Sequence, residues 1–440
     1  MTGASGLIGR ALAHAFHERG WVAVPLLRRP DPGQLETLDA VINLAGEPID
    51  GRWTLEKKTE IRQSRVEGTR ALVRALSACR RKPRVLVSAS AVGYYGDRGD
   101  EPLFETSPPG NDFLATVCRD WEREAFGAQA LGIRTVVMRT GIVLARDGGA
   151  LPKIARPFAF GAGGPLGSGR QFVPWIALDD IVGLYLLAIE TETVRGAVNA
   201  VSPDVATNAR VAQAIGAAMY RPALAPAPPF ALRAMLGEFA ESLLISQLVL
   251  PAVAASAGYV WREKRLETAL QHLFNPDAAG TPAVLQTFAS QQFVPLPVEE
   301  IFAFFSDARN LEAITPSSLH FTIKSGAAAI QEGSVIEYDL RLHGVPLSWK
   351  TLIAKWNPPH GFVDVQLRGP YALWEHEHTF MEIPGGTVIA DDVTYALPFA
   401  PFSAIALPLV RHDVEAIFAY RREEIERRFA SEPAAAAAPR

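Results

Sequence analysis

Thr2-Gly3-Ala4-Ser5-Gly6-Leu7-Ile8-Gly9-Arg10 sets three glycines at three-residue intervals and runs straight into an apolar pattern of helical spacing, Leu7, Ile8, Ala11, Leu12 and Ala15. Glycine permits a tight turn and lets a ligand approach backbone that a Cβ would shield. The helix that follows offers unpaired N–H groups and the positive end of its dipole. Together they make a seat for a pyrophosphate, with Gly3, Ser5, Gly6, Leu7, Ile8 and Gly9 as its predicted contacts. Such a fingerprint requires a strand before it, a helix after it and a ribose-contacting residue about twenty residues on. The helix and the ribose contact are present, but only Met1 precedes the loop. The first strand of the sheet therefore looks truncated. The expectation is that upstream residues encode a short apolar strand ending at Thr2-Gly3, in a slot flanked by Val22–Leu27 and Val85–Ser90.

Outward from the loop, Trp21 to Leu27 reads as a buried parallel strand that ends in Arg28-Arg29. A carboxylate at that position accepts from the 2′-hydroxyl of NAD, whereas a guanidinium pairs with the 2′-phosphate of NADP. Arg28 and Arg29 thus favour NADP over NAD; the alternative is two solvated arginines at a strand end. The next strand, Ala40 to Leu44, enters a small-residue turn in which Leu44, Ala45 and Gly46 let the adenine and ribose side pass close to backbone. A helix of amphipathic spacing follows from about Leu55 to Arg80. Arg84–Ser90 is another buried strand, whose hydroxyls Ser88 and Ser90 fall at the carboxyl edge where open α/β sheets bind ligands. Ile133–Arg139 continues the alternation. The predicted class is α/β: a doubly wound parallel sheet of Rossmann type.

The chain's 440 residues allow two or three domains, and 48% hydrophobic with 20% charged residues is ordinary for a folded globular protein. A net charge of −4 with scattered Lys and Arg excludes a basic nucleic-acid-binding face. Cys79 and Cys118 are too few for a disulfide framework and fit a reducing compartment, so the expected location is cytoplasmic. No membrane span is expected, because the apolar run from Leu243 to Trp261 is broken by Ser246, Gln247, Pro251 and Ser256. The Ala/Pro-rich end from Ala434 reads as a disordered tail.

The glycine loop, Asn43-Leu44-Ala45-Gly46, Ser88-Ala89-Ser90 followed by Gly93-Tyr94-Tyr95-Gly96, Arg139-Thr140-Gly141 and Trp175 to Asp180 together resemble the NAD(P)-dependent epimerase/dehydratase family, the extended short-chain dehydrogenases/reductases. Gly46-Glu47-Pro48-Ile49, Arg52-Trp53-Thr54, Ser64-Arg65, Trp121-Glu122 and Gly163 to Gln171 resemble an atypical "epimerase family" subgroup. The resemblance spans about residues 1 to 275 and includes the subgroup's own C-terminal piece, Leu232 through Leu270. It implies a Tyr and, four residues later, a Lys on one helix as the acid/base pair, with a hydroxyl at the preceding strand end. Here Phe113 and Val117 occupy those two places, and neither moves a proton. The remaining catalytic candidates are Ser88, Ser90, Tyr94 and Tyr95, the tyrosines being equally readable as loop packing. Cys118 reads as a small buried hydrophobe rather than a reactive thiol. Arg170, in a glycine-rich stretch, is a candidate substrate-side anion clamp or a surface arginine, and Asp179 and Asp180 are expected to cap a helix.

The pattern changes near residue 275, where Asn275 to Pro282 has linker composition. Beyond it a strand Leu285–Val294, a helix bearing Val298, Ile301, Phe302 and Phe305, six further strands of antiparallel character and a last helix from about Ser403 to Phe429 are predicted. This order resembles the helix-grip architecture of the START/polyketide-cyclase-like (SRPBCC) superfamily over about residues 284 to 430. The resemblance implies an apolar small molecule held between sheet and terminal helix. Ile301, Phe302, Phe305, Ile417 and Ile425 are expected to line or close a cavity of drug-like size. Trp374, His376, His378 and Phe380 alternate onto one strand face; with no third ligand of suitable spacing evident, the histidines read as cavity lining or a solvated face, not a metal site. The sequence therefore suggests an NADP-dependent oxidoreductase or epimerase acting on an unknown, possibly hydrophobic, small molecule. The rival reading is a cofactor-binding scaffold or redox sensor.

Overall fold

In the computed structural model, residues 1–27, 30–146, 148–275, 285–326, 329–383, 386–398 and 406–429 are described. The chain divides into two units, Met1–Gly280 and Thr281–Arg440. Arg28 and Arg29, most of the expected linker and the tail lie outside the described residues.

In the first unit, β1 (Ala40–Asn43), β2 (Val85–Ala91), β3 (Arg134–Thr140) and β4 (Gly196–Ala200) form one parallel sheet in that order. Its helices include α1 (Leu7–Glu18), α2 (Leu55–Ala78), α3 (Phe113–Phe126) and α4 (Leu178–Glu190). Strand alternation sends Ile42, Val85 and Val87 to one face, where they pack with Leu12 and Phe16 of α1 and Ile181 and Leu184 of α4. Val41 and Leu86 go to the other face and meet Leu72 and Leu76 of α2. Both faces are covered, which is why these strands read as continuous apolar runs.

The first slot of the sheet differs from expectation. Thr2 bridges Asn43 in parallel, its N–H donating to the Ile42 carbonyl at 2.9 Å, while the Leu26 N–H donates to the Met1 carbonyl at 2.8 Å. Met1 and Thr2 thus lie between Val22–Leu27 and β1; Val85–Ser90 is the next strand over, not the slot's neighbour. Val22–Leu27 is not a strand and is only partly buried: Val22 is 87% and Leu27 70% exposed, with Leu26 alone buried. An apolar run becomes strand only where its backbone groups pair in a ladder, and Pro25 within this run has no N–H to give one.

In the second unit, β5 (Leu285–Val294), α5 (Val298–Phe305), β6 (Thr322–Ser325), β7 (Val335–Leu342), β8 (Val345–Asn357), β9 (Gly361–Arg368), β10 (Leu373–Ile383), β11 (Gly386–Ala396) and α6 (Leu407–Phe429) follow one another. The sheet is antiparallel throughout, in the order β6-β7-β8-β9-β10-β11-β5. One core cluster joins Ile301, Phe302 and Phe305 of α5 to Ile336, Ile353, Phe362, Phe380 and Ile425; another joins Val414 and Phe418 of α6 to Val393 and Tyr395.

A cavity of about 160 Å³ lies in this unit, bordered by Phe305, Tyr338, Trp349, Trp374 and Ile417 among others. Of the five residues expected there, Phe305 and Ile417 line it, while Ile301, Phe302 and Ile425 are absorbed into the packed core. The volume is about that of cavities known to hold a benzene-sized molecule, below the roughly 300 Å³ where drug-sized sites begin. His376 and His378 line this cavity, one of the two alternatives read from the sequence; what needs correction is the missing third ligand. Strand register sets Asp364 of β9 opposite His376, and Asp391 of β11 opposite His378, so a third ligand does stand beside the pair.

Candidate functional site

The glycine loop turns back on itself before α1 begins. Gly3 has φ +65°, and a Cβ there would stand 2.9 Å from the Leu44 carbonyl carbon, so only glycine lets the loop touch the turn after β1. On Gly9 a Cβ would lie 2.4 Å from the Gly3 carbonyl oxygen. The Gly6 N–H donates to that same oxygen at 3.0 Å. Ser5 and Gly6 remain exposed, and α1 starts at Leu7 with no side chain capping its first N–H groups. The loop therefore presents backbone donors and a dipole end to solvent, the chemistry a pyrophosphate requires. The Leu7 side chain borders a cavity of about 360 Å³ that also meets Arg146, Asp179 and His272.

Thr2 fastens the loop to the second predicted cofactor segment. Its Oγ1 donates to Asn43 Oδ1 at 2.8 Å and accepts from the N–H groups of Leu44 and Ala45 at 3.1 and 3.2 Å. Asn43 Nδ2 donates in turn to Thr69 Oγ1 at 2.8 Å and Ser88 Oγ at 3.2 Å, and Trp121 Nε1 donates to Thr69 Oγ1 at 2.9 Å. The structure thus brings Gly3, Leu44, Ala45 and Ser88 together through a buried hydroxyl and amide chain. Gly46 packs under the Arg65 guanidinium.

The strand-end hydroxyls and tyrosines have partners that the sequence did not disclose. Ser90 Oγ donates to Glu122 Oε1 at 2.6 Å, and Glu122 receives Arg139 through Nε at 2.9 Å and Nη2 at 2.8 Å, all buried. Arg139 Nη1 donates to the Tyr95 hydroxyl at 3.0 Å, and that hydroxyl donates to Asn199 Oδ1 at 2.6 Å. Burial pushes the Tyr95 phenol up to about 12, against the pull of the neighbouring Arg139, so it keeps its proton at neutral pH. Ser90 and Tyr95 belong to a closed ion-pair network rather than facing an open site edge. Tyr94 is half-buried with its ring 3.5 Å from the Arg139 guanidinium carbon, and no hydrogen bond of its hydroxyl occurs among the described residues. Sequence order gives one hint of the network: Glu122 lies one residue beyond Trp121 on α3, and Arg139 is the last residue but one of β3.

Phe113 opens α3, whose N-cap Asp112 accepts from the Ala115 N–H at 2.8 Å. Its ring meets Trp53 edge-on at 5.2 Å and the Lys58 ammonium at 4.9 Å, while Val117 is buried. Cys118 is buried too, and desolvation pushes its thiol up to about 12. Arg170 is exposed, in no ion pair among the described residues.

Asp180 does not cap its own helix. Its carboxylate accepts from the Tyr259 hydroxyl at 3.0 Å and from the N–H groups of Arg262 and Glu263 at 2.8 and 3.0 Å, latching the segment after residue 258 to α4. Gln247 Nε2 performs a similar service for the Gly93-Tyr94-Tyr95-Gly96 turn, donating to the carbonyls of Val92 and Gly96 at 3.0 and 2.9 Å. Among the described residues no helix is long and apolar enough to cross a membrane.

Residues 1–200 match the family model described as the NAD dependent epimerase/dehydratase family, and residues 227–273 match a domain of unknown function, DUF1731. The chain is 42% identical over 234 residues to the chloroplastic epimerase family protein SDR39U1 homolog of Arabidopsis thaliana, covering 53% of this chain and 67% of that protein. It is 37% identical over 290 residues to an epimerase family protein of Mycobacterium leprae, covering 62% of this chain and 94% of the relative. The crystal structure of human epimerase family protein SDR39U1 (isoform 2) with NADPH superposes with a TM-score of 0.58 at 35% identity, covering 62% of this chain and 97% of that one. The likeness thus runs from the glycine loop to the latched segment that Asp180 and Gln247 hold, and the chain belongs to the NAD-dependent epimerase/dehydratase family.

Proposed function

We propose that the first unit is an NADP-dependent oxidoreductase or epimerase domain that works without the Tyr/Lys pair. One observation carries the cofactor assignment: the glycine loop is locked to the Leu44–Gly46 turn, leaving Ser5, Gly6 and the uncapped start of α1 open to a phosphate. The NADPH in the human relative supports it. In this reading Gly3, Ser5, Gly6, Leu7, Ile8 and Gly9 hold the pyrophosphate, while Leu44, Ala45, Gly46 and Ser88 border the nucleotide. Arg28 and Arg29, which lie outside the described residues, select the 2′-phosphate. Bound, the cofactor supplies or takes up a hydride. Of the four proton-moving candidates, Tyr94 is the one left outside the Glu122–Arg139 network and the Asn43 chain, so we assign it the proton at the substrate, with Arg170 on the substrate side. The substrate is an unidentified small molecule.

A second reading, a cofactor-binding scaffold without turnover, is favoured by Phe113 and Val117, packed as apolar residues where the acid/base pair would stand. The test is NADPH consumption by the full chain over a panel of small aldehydes, ketones and enones. Turnover abolished by Tyr94→Phe with NADPH affinity unchanged supports the enzyme. Tight binding with no turnover across the panel supports the scaffold.

For the second unit we propose a START/polyketide-cyclase-like helix-grip domain, on the strength of a seven-stranded antiparallel order in which the first strand, β5, pairs with the last, β11, and a long last helix. Its cavity suits a single-ring apolar molecule.

A further inference from the structure

We propose that Asp364, His376 and His378 form a binding site for a divalent transition-metal ion of the zinc class, with an open position facing the cavity of the second unit. The proposal is independent of the NADP reading.

The three residues arrive on the inner face of adjacent strands. His376 and His378 are two apart on β10 and so point to the same side, and register puts Asp364 on β9 directly across from His376. Asp364 Oδ2 lies 3.4 Å from His376 Nδ1 and 3.4 Å from His378 Nε2, and one ligand atom from each residue falls within 4.8 Å of the others. These separations exceed the roughly 2.7–3.2 Å of a good N–H···O bond. The two 3.4 Å separations are close to the spacing of about 3.3–3.4 Å between ligand atoms around a tetrahedral ion with bonds of about 2.0–2.1 Å.

The far side of both rings is held by a second carboxylate. Asp391 Oδ1 is hydrogen-bonded to His376 Nε2 at 2.8 Å and lies 3.1 Å from His378 Nδ1. A carboxylate behind a ligating imidazole fixes its tautomer and ring orientation and raises its basicity. With the His376 proton on Nε2, its Nδ1 faces the Asp364 oxygen and can ligate an ion held between them.

The two rings are fixed side by side: their centroids are 3.7 Å apart, and His378 is stacked on Phe362 at 4.3 Å. One divalent ion between Asp364 and the rings offsets the carboxylate charge buried there.

Asp364, His376 and His378 all line the cavity, with Thr351, Tyr338 and Arg421 beside them. Two histidines and one carboxylate, with the remaining position open to a cavity, are the pattern of reactive rather than structural sites. A ligand suited to it is a small ring with an oxygen donor, the ring in the apolar part and the oxygen on the metal.

The test uses the tag-free full chain, stripped with a chelator, dialysed, and titrated with Zn²⁺ by calorimetry and with Co²⁺ by visible absorption. The expected result is one equivalent per chain and intense visible Co²⁺ bands of a four-coordinate site. Asp364→Asn and His378→Ala should each weaken Zn²⁺ binding at least about 100-fold, and Asp391→Asn about 10–100-fold as an outer partner. His272→Ala, in the first unit, should change nothing. The Co²⁺ spectrum of the unaltered chain requires no variant to fold, so absence of those bands overturns the proposal. Zn²⁺ affinity unchanged in a folded Asp364→Asn chain overturns it equally.

Discussion

Glu122 and Arg139 bury opposite charges against each other, both nitrogens of the guanidinium fork engaged, with Ser90 and Tyr95 filling the remaining positions. Removing one partner of such a pair leaves the other charge buried and unmatched, which costs roughly 3–5 kcal/mol. Glu122→Ala should therefore lower the urea midpoint of the first unit far more than Ser90→Ala, which gives up one hydrogen bond worth about 1–3 kcal/mol. A Ser90→Ala chain that keeps its stability and NADPH affinity yet loses turnover would return Ser90 to a catalytic role. The glycines divide in the same manner. Gly9→Ala drives a Cβ to 2.4 Å from backbone oxygen and should unseat the loop, whereas Gly6→Ala meets its nearest atom at 3.3 Å and should fold. A folded Gly6→Ala chain with NADPH affinity reduced by about tenfold or more is the expected outcome, since the methyl stands where the phosphate approaches. Unchanged affinity would place the phosphate elsewhere. Gly3 and Gly9 were legible because no other residue fits those two positions. Ser90 and Tyr95 misled because a hydroxyl's partners, Glu122 and Asn199, sit 32 and 104 residues away.

Among the elements, those with partners on both sides read well. β2 and β3 lie in mid-sheet with apolar neighbours on either face, and their sequences say so. Val22–Leu27 is as apolar but carries Pro25 and is mostly exposed, and apolar content alone does not report burial. Asp364 was invisible for a related reason: it stands 12 residues before His376, a spacing that becomes contact only through antiparallel register. Asp180 shows how one side chain fixes an element it does not belong to. Asp180→Ala strips the Arg262 and Glu263 N–H groups of their acceptor and leaves the Tyr259 hydroxyl only the Asp180 carbonyl. It should raise amide hydrogen exchange over residues 259–263 and cost about 2–4 kcal/mol. Exchange unchanged in that segment would mean packing of Trp261 alone holds it.

At the scale of the whole molecule, two units with separate cores, and with the different ligands proposed for them, should report separately. Calorimetry of the full chain is expected to show NADPH raising one unfolding transition and a single-ring apolar compound raising the other, each ligand adding about 2.7 kcal/mol at a hundred times its dissociation constant. A long-chain fatty acid should raise neither, because a cavity of about 160 Å³ has no room for it. Whether the glycine loop holds a 2′-phosphorylated dinucleotide is measured most directly by a pair of titrations of the full chain with NADPH and NADH at fixed salt. NADPH should bind at least about tenfold more tightly, and Arg28→Glu should erase the difference, as expected for charge-assisted contacts of about 1.5–3 kcal/mol. Equal affinity for the two nucleotides, or saturable binding of neither, would contradict it.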